Sequence, residues 1–117
     1  MSERDIQTAV RLAVGRLPGV VLWRNNVGVS ERWNGRAPER IVYGLAPGSA
    51  DLVGLVMRED GFGRFIALEV KTPAGRISPE QKLWHDLVNR LGGYAAVVRS
   101  VEEAITAVEL ARNGDRL

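Results

Sequence analysis

The sequence has no cysteine and a single histidine, His85. The first absence excludes a disulfide framework and any thiolate metal site, and it suits a reducing compartment. The second argues against a zinc site of the usual His-rich kind. No stretch of about 18 apolar residues occurs, so no membrane-spanning helix is expected. The amino terminus, Ser2-Glu3-Arg4-Asp5, is charged and does not read as a secretory signal. Lysine is scarce: of sixteen basic residues only Lys71 and Lys82 are Lys, and the rest are Arg. Arg suits bidentate phosphate contacts, although a GC-rich genome produces the same bias. A net charge of +2 is not that of a polybasic protein. The chain has 117 residues and 45% hydrophobic content, which fits one domain, 1–117, with a real core.

The stretch that organises the chain runs from Asp51 to Lys71. Two apolar runs, Leu52–Met57 and Phe65–Val70, flank a polar turn with Glu59-Asp60-Gly61, which is a hairpin signal. Asp51, Glu69 and Lys71 interrupt its apolar character at the far ends. With the turn centred near Gly61, Asp51 lies opposite Lys71, and the alternation of strand side chains puts all three on one face. Asp51 and Glu69 are then diagonal neighbours, roughly 7–8 Å apart at Cα, and two such carboxylates can share one hard cation. A salt-bridge set at the hairpin ends is the competing explanation. The remaining positions are apolar on both faces, Leu52, Val56, Ile66, Leu68 and Val70 on one and Val53, Leu55, Met57, Phe65 and Ala67 on the other. Helices are therefore expected on both sides of the sheet.

The rest of the chain supplies those helices. Ile6, Ala9, Val10, Ala13, Val14 and Leu17 fall on one face of a helix capped by Ser2 and ended by Pro18-Gly19. Glu3 suits its first turn. A strand follows over Val20 to Val27, and Asn25-Asn26 within it is either a turn or an amide cluster facing the site. Gly28 to Gly48 is the least regular stretch, with a possible short strand at Ile41–Tyr43. Its Arg32, Arg36, Arg40 and Trp33 either contact a phosphate backbone and an unpaired base or form a solvated loop. Ser78-Pro79-Glu80-Gln81 opens a helix with a capping box, through Leu83, Trp84, Leu87, Val88 and Leu91. His85 is expected to face outward from it. Tyr94–Val98 is a buried strand, Ser100 starts a last helix, and the tail from Asn113 is expected to fray. The order is α-β-β-β-α-β-α.

Gly48-Ser49-Ala50-Asp51-Leu52, Glu69-Val70-Lys71 and Gln81 resemble the G-x-x-D, E-x-K and downstream Gln of the VRR-NUC domain family within the PD-(D/E)XK nuclease superfamily. Arg24-Asn25-Asn26-Val27-Gly28 and Ser78-Pro79-Glu80-Gln81 are similar to stretches of its stand-alone, phage-type members. The resemblance runs from about Glu3 to Val108. Ala50 stands where the superfamily label has Pro, and the family's Val-Arg-Arg is here Val98-Arg99-Ser100.

The resemblance implies an α/β fold with a restriction-endonuclease-like core, a central mixed sheet containing an antiparallel hairpin and helices on its flanks. It implies a DNA endonuclease dependent on Mg²⁺ or Mn²⁺, selective for branched DNA in the manner of a Holliday-junction resolvase. Asp51, Glu69 and the Val70 carbonyl would hold the ion, with Glu3 reaching it through water. Lys71 would orient or activate the attacking water or, as favoured here, stabilise developing charge, and Gln81 would orient Lys71 or a water. Arg24, Asn25, Arg32, Trp33, Arg36, Arg40, Arg76 and Arg99 are the candidate DNA contacts. Symmetric cutting of two strands by a domain with one site calls for a homodimer. No small-molecule cofactor and no membrane partner is expected, and the cytoplasm of a bacterial or phage-infected cell is the expected location. A catalytically silent DNA-binding module and a monomeric flap or nicking nuclease are the rivals.

Overall fold

The computed structural model describes residues 1–114. It contains α1 (Glu3–Gly15), β1 (Val20–Arg24), β2 (Gly28–Trp33), β3 (Pro38–Tyr43), β4 (Leu52–Met57), β5 (Gly63–Val70), α2 (Pro79–Arg90), β6 (Tyr94–Val98) and α3 (Val101–Arg112). One sheet has the order β1-β4-β5-β6, antiparallel except for the parallel β5–β6 pair. The connection from β5 to β6 runs through α2, as a parallel pair requires. This is the expected mixed α/β architecture with two strands added. The expectation for the tail from Asn113 falls largely outside the described residues.

The hairpin is present, but its pairing differs from the sequence reading. Leu52 pairs with Leu68 and Met57 with Gly63, so continuation of the ladder sets Asp51 opposite Glu69 rather than Lys71. The turn is shorter than expected: Arg58 N donates to Phe62 O, and the Asp60 side chain accepts from Phe62 N. The shift is by two residues. A shift of two preserves which face every side chain occupies, whereas a shift of one would have reversed it.

The face with Leu52, Val56, Ile66, Leu68 and Val70 packs against Ile6, Val10 and Val14 of α1 and Ala104, Ala107, Val108 and Ala111 of α3. The opposite face, with Ala50, Val53, Ala67 and Ala95, packs on Trp84 and Val88 of α2. Coverage of this second face is incomplete: Val21, Trp23, Leu55 and Met57 remain exposed, contrary to the expectation of two fully covered faces. Gly54 lies in β4 where β1 passes so closely that a Cβ would overlap the carbonyl oxygen of Val21. In a strand, Gly→Ala ordinarily helps; here backbone overlap reverses the sign. Gly54→Ala should cost about 3 kcal/mol, read as a lower urea midpoint with unchanged slope. An unchanged midpoint would contradict that packing.

The stretch Gly28 to Gly48 is the main departure. It is an antiparallel ribbon, β2 with β3, paired from Gly28↔Tyr43 to Trp33↔Pro38. The expected short strand at Ile41–Tyr43 is the end of β3. Almost every residue of the ribbon is exposed. Its tight turn is held by Asn34, whose side-chain oxygen accepts from the N–H groups of Arg36 and Ala37.

Helix α2 also departs from expectation. Leu83, Leu87 and Leu91 are exposed, and His85 is the buried residue. On the inward side of α2, Asn89 exchanges two hydrogen bonds with the backbone of Ala95, so it dresses the edge of β6. Arg64 is buried as well. It donates to the carbonyls of Gly92, Gly93 and Ala111, joining β5 to the ends of α2 and α3.

Candidate active site

The site begins where the β4–β5 ladder ends. Asp51 N donates to Glu69 Oε2 at 3.2 Å, and Val70 N donates to Asp51 Oδ2 at 3.0 Å. Each carboxylate thus accepts from the other strand's backbone. Glu69 is 1% exposed. Burial, and then the nearby charge of Asp51, push its carboxyl up to about 7. Lys71 and the hydrogen bond from Asp51 N pull in the other direction without overcoming this.

Two further side chains reach Glu69 Oε1: the Gln81 amide at 2.9 Å and the Lys71 ammonium at 3.6 Å. Gln81 carries both roles foreseen for it. Its Oε1 accepts from Ser78 N at 2.8 Å, closing the capping box of α2, so its Nε2 is the end left to face Glu69. Pro79 and Ser78, which start the helix, thereby also aim the amide. Asp51, Glu69, Lys71 and Gln81 are together, as the sequence predicts. Among the described residues no group of three or more His, Asp or Glu side chains is placed to hold an ion, so Glu3 makes no direct cluster with the pair.

Asn25 is placed internally rather than as a free surface amide. Its backbone N donates to Asp51 O at 2.7 Å, its Nδ2 to Ser49 Oγ and Ala50 O, each at 2.8 Å, and its Oδ1 accepts from Leu45 N. Of the two readings of Asn25-Asn26, the amide cluster is the one the structure adopts. Asn25 holds the chain leading into Asp51 and fastens it to the base of the ribbon. Arg99 is likewise engaged: its Nη1 donates to the carbonyls of Thr72 and Gly75, bracing the loop after Lys71. Arg24, Arg36, Arg40 and Arg76 are exposed, Arg32 pairs with Glu39 at 3.5 Å on the ribbon, and Trp33 is 67% exposed near its tip.

His85 was expected at the surface and is buried, because it lies one turn beyond Gln81 on the inward side of α2. Its Nε2 has no hydrogen-bond partner among the described residues, and its ring meets Trp84 edge-on. Burial holds its imidazole below the ordinary value, so it is neutral at neutral pH.

A cleft of about 560 Å³ opens beside Asp51 and Gln81, walled by the ribbon base (Asn26, Val27, Tyr43) and the start of α2. Asp51 lines the cleft and is paired with the buried Glu69, whose carboxyl is raised; carboxylate oxygens are donors of the kind that hard divalent cations take. With this geometry in place, a family model of the VRR-NUC domain matches residues 20–102. The chain belongs to the VRR-NUC domain family. That match spans β1 to the start of α3 and includes the site residues Asp51, Glu69, Lys71 and Gln81. VRR-NUC domains are nuclease domains, so this chain is a nuclease domain that acts on DNA. A comparison with curated proteins returns no match. Among the described residues no helix is long and apolar enough to cross a membrane.

Proposed function

We propose that this VRR-NUC domain is a metal-dependent DNA endonuclease, selective for branched DNA in the manner of a Holliday-junction resolvase and working as a homodimer. The observation that carries the reading is the Asp51–Glu69 pair, locked by reciprocal backbone hydrogen bonds with Lys71 and Gln81 on the same carboxylate. Asp51, Glu69 and the Val70 carbonyl would hold Mg²⁺ or Mn²⁺, with Glu3 through water, which would neutralise the phosphodiester and acidify an attacking water. Lys71, whose ammonium lies 3.6 Å from Glu69 Oε1, would stabilise the charge that develops on the phosphoryl oxygens. Gln81 donates to Glu69 Oε1, the oxygen that Lys71 also approaches, and so fixes the orientation of the carboxylate. The exposed Arg24, Arg32, Arg36, Arg40 and Arg76 supply cations for the DNA backbone, and binding weakens with salt.

The dimer has support in what α2 leaves bare. Leu83, Leu87 and Leu91 recur every four residues on its outer side, and Trp23, Leu55 and Met57 lie on the same side of the sheet. A second copy would cover apolar surface that otherwise faces water.

The test is cleavage of a labelled four-way junction, a flap and a linear duplex with MgCl₂, MnCl₂ or EDTA, beside Lys71→Ala. Paired symmetric nicks in the junction, lost in EDTA and at least about 10²-fold slower in the variant, are expected. Cleavage of the flap alone would replace the resolvase by a monomeric nuclease. Binding without cleavage of any substrate would leave a silent DNA-binding module.

A further inference from the structure

The cleft is larger than the carboxylate pair needs, and its far wall has a specific construction. Tyr43 closes β3 on the rung shared with Gly28. Gly28 has an ordinary backbone conformation, so its lack of a side chain serves space and not φ. A Cβ there would overlap the Tyr43 hydroxyl and come within 2.6 Å of Cζ. The ring therefore lies against the Gly28 backbone. Gly44 does adopt a positive φ, 91°, and a Cβ on it would sit 2.6 Å from Asn26 O. The chain just beyond Tyr43 is thereby folded tightly onto Asn26. Yet Tyr43 is 45% exposed, and its hydroxyl has no hydrogen-bond partner among the described residues.

An aromatic fixed on one side and open to a polar cleft on the other is a stacking platform. The charged groups of the cleft wall narrow the ligand further. They are Asp51 and Glu80, and neither Arg nor Lys lines it. With no Arg or Lys on it, such a wall offers a phosphate no cation of its own and accepts a neutral ring whose edge can meet the Asn26 amide. Trp33, the other aromatic of the ribbon, lies five rungs away, about 17 Å at the rise of a strand, and is too far to serve the same nucleotide.

Resting on the nuclease reading above, we propose that this cleft holds an unpaired nucleobase of the DNA substrate, stacked on Tyr43, beside the phosphate presented to Asp51, Glu69 and Lys71. A base inside a duplex is stacked on both sides and cannot enter without being flipped out. A branch point, flap or frayed end supplies one already free. The cleft thus favours branched over linear DNA without reading sequence.

The experiment is binding in EDTA, so that nothing is cut, to a flap carrying 2-aminopurine at one unpaired position at a time. Wild type and Tyr43→Phe should quench the fluorescence at one position near the branch and leave a labelled duplex unaffected. Tyr43→Ala should lose the quenching and bind roughly 5- to 150-fold more weakly. Gly28→Ala, which displaces the ring without removing it, should reduce quenching as well. Thermal melts of each variant show whether the fold is retained. No quenched position in wild type, or quenching and affinity unchanged in Tyr43→Ala, overturns the base site. Metal-dependent cleavage with no quenching would keep the nuclease and remove the base site; quenching that depends on Tyr43 without cleavage would do the reverse.

Discussion

Asp51→Asn should reduce metal-dependent cleavage by at least about 10³-fold while leaving the protein folded and slightly more stable. The two effects have one origin. The Asn side-chain oxygen can still accept from Val70 N, so the bond that closes the ladder at 3.0 Å survives. The negative charge does not survive, and with it would go one of the two carboxylates proposed to hold the cation. Loss of several kcal/mol of charge stabilisation at the phosphoryl group corresponds to about three orders of magnitude in rate. In the absence of metal the same charge is harmful, because Asp51 raises the pKa of buried Glu69. Relief of about 1 kcal/mol would raise the Tm of a domain this size by roughly 3–6 °C. Cleavage rates and melts in EDTA at pH 7.5 provide both readings. A variant that cleaves like wild type, or that melts well below it, would contradict the site as described.

The second large effect is in pH. Glu69 is raised from 4.5 to about 7 in the folded protein. Between those values the native state holds a proton that the unfolded chain releases, so this group's contribution to stability falls as pH rises from 4.5 to 7. Above pH 7 the full penalty of holding Glu69 ionised in its buried position is present. A bound divalent cation must displace that proton. Its affinity should therefore fall about tenfold for each pH unit below 7 and level off above it. Calorimetry in two buffers of different ionisation enthalpy should show about one proton released at pH 6 and nearly none at pH 8.5. Glu69→Gln should abolish the release. An affinity with no slope between pH 5.5 and 7 would contradict the raised carboxyl. His85 acts in the opposite sense on the metal-free protein. Its lowered pKa means the unfolded state binds the extra proton first, so stability falls as pH drops below about 6.5. The melts of Glu69→Gln separate the two.

The face that carries Asp51, Glu69 and Lys71 was legible because it depends on parity alone. Asp51, Glu69 and Lys71 share a face for any even shift of the hairpin, so a pairing wrong by two residues still brought them together. Helix starts were legible because Ser2, Ser78 and Ser100 each cap the turn that follows through their side chains. The ribbon was not, since a strand pair exposed on both faces has no alternation to read. Helix α2 inverted the usual rule for a related reason. Its inward side mixes Trp84 and Val88, which pack on the sheet, with Gln81 at Glu69, Asn89 at the edge of β6 and the buried His85, so no wholly apolar stripe marks it. The internal roles of Asn25 and Arg99 lay in backbone carbonyls brought close only by the fold.

The ribbon has one more property. It leaves the body at Gly28 and returns at Tyr43, on a single rung, and packs chiefly on itself. Residues beyond that rung can lengthen, shorten or be replaced without moving Asp51 or Glu69. The domain is in effect a fixed body with an exchangeable cassette.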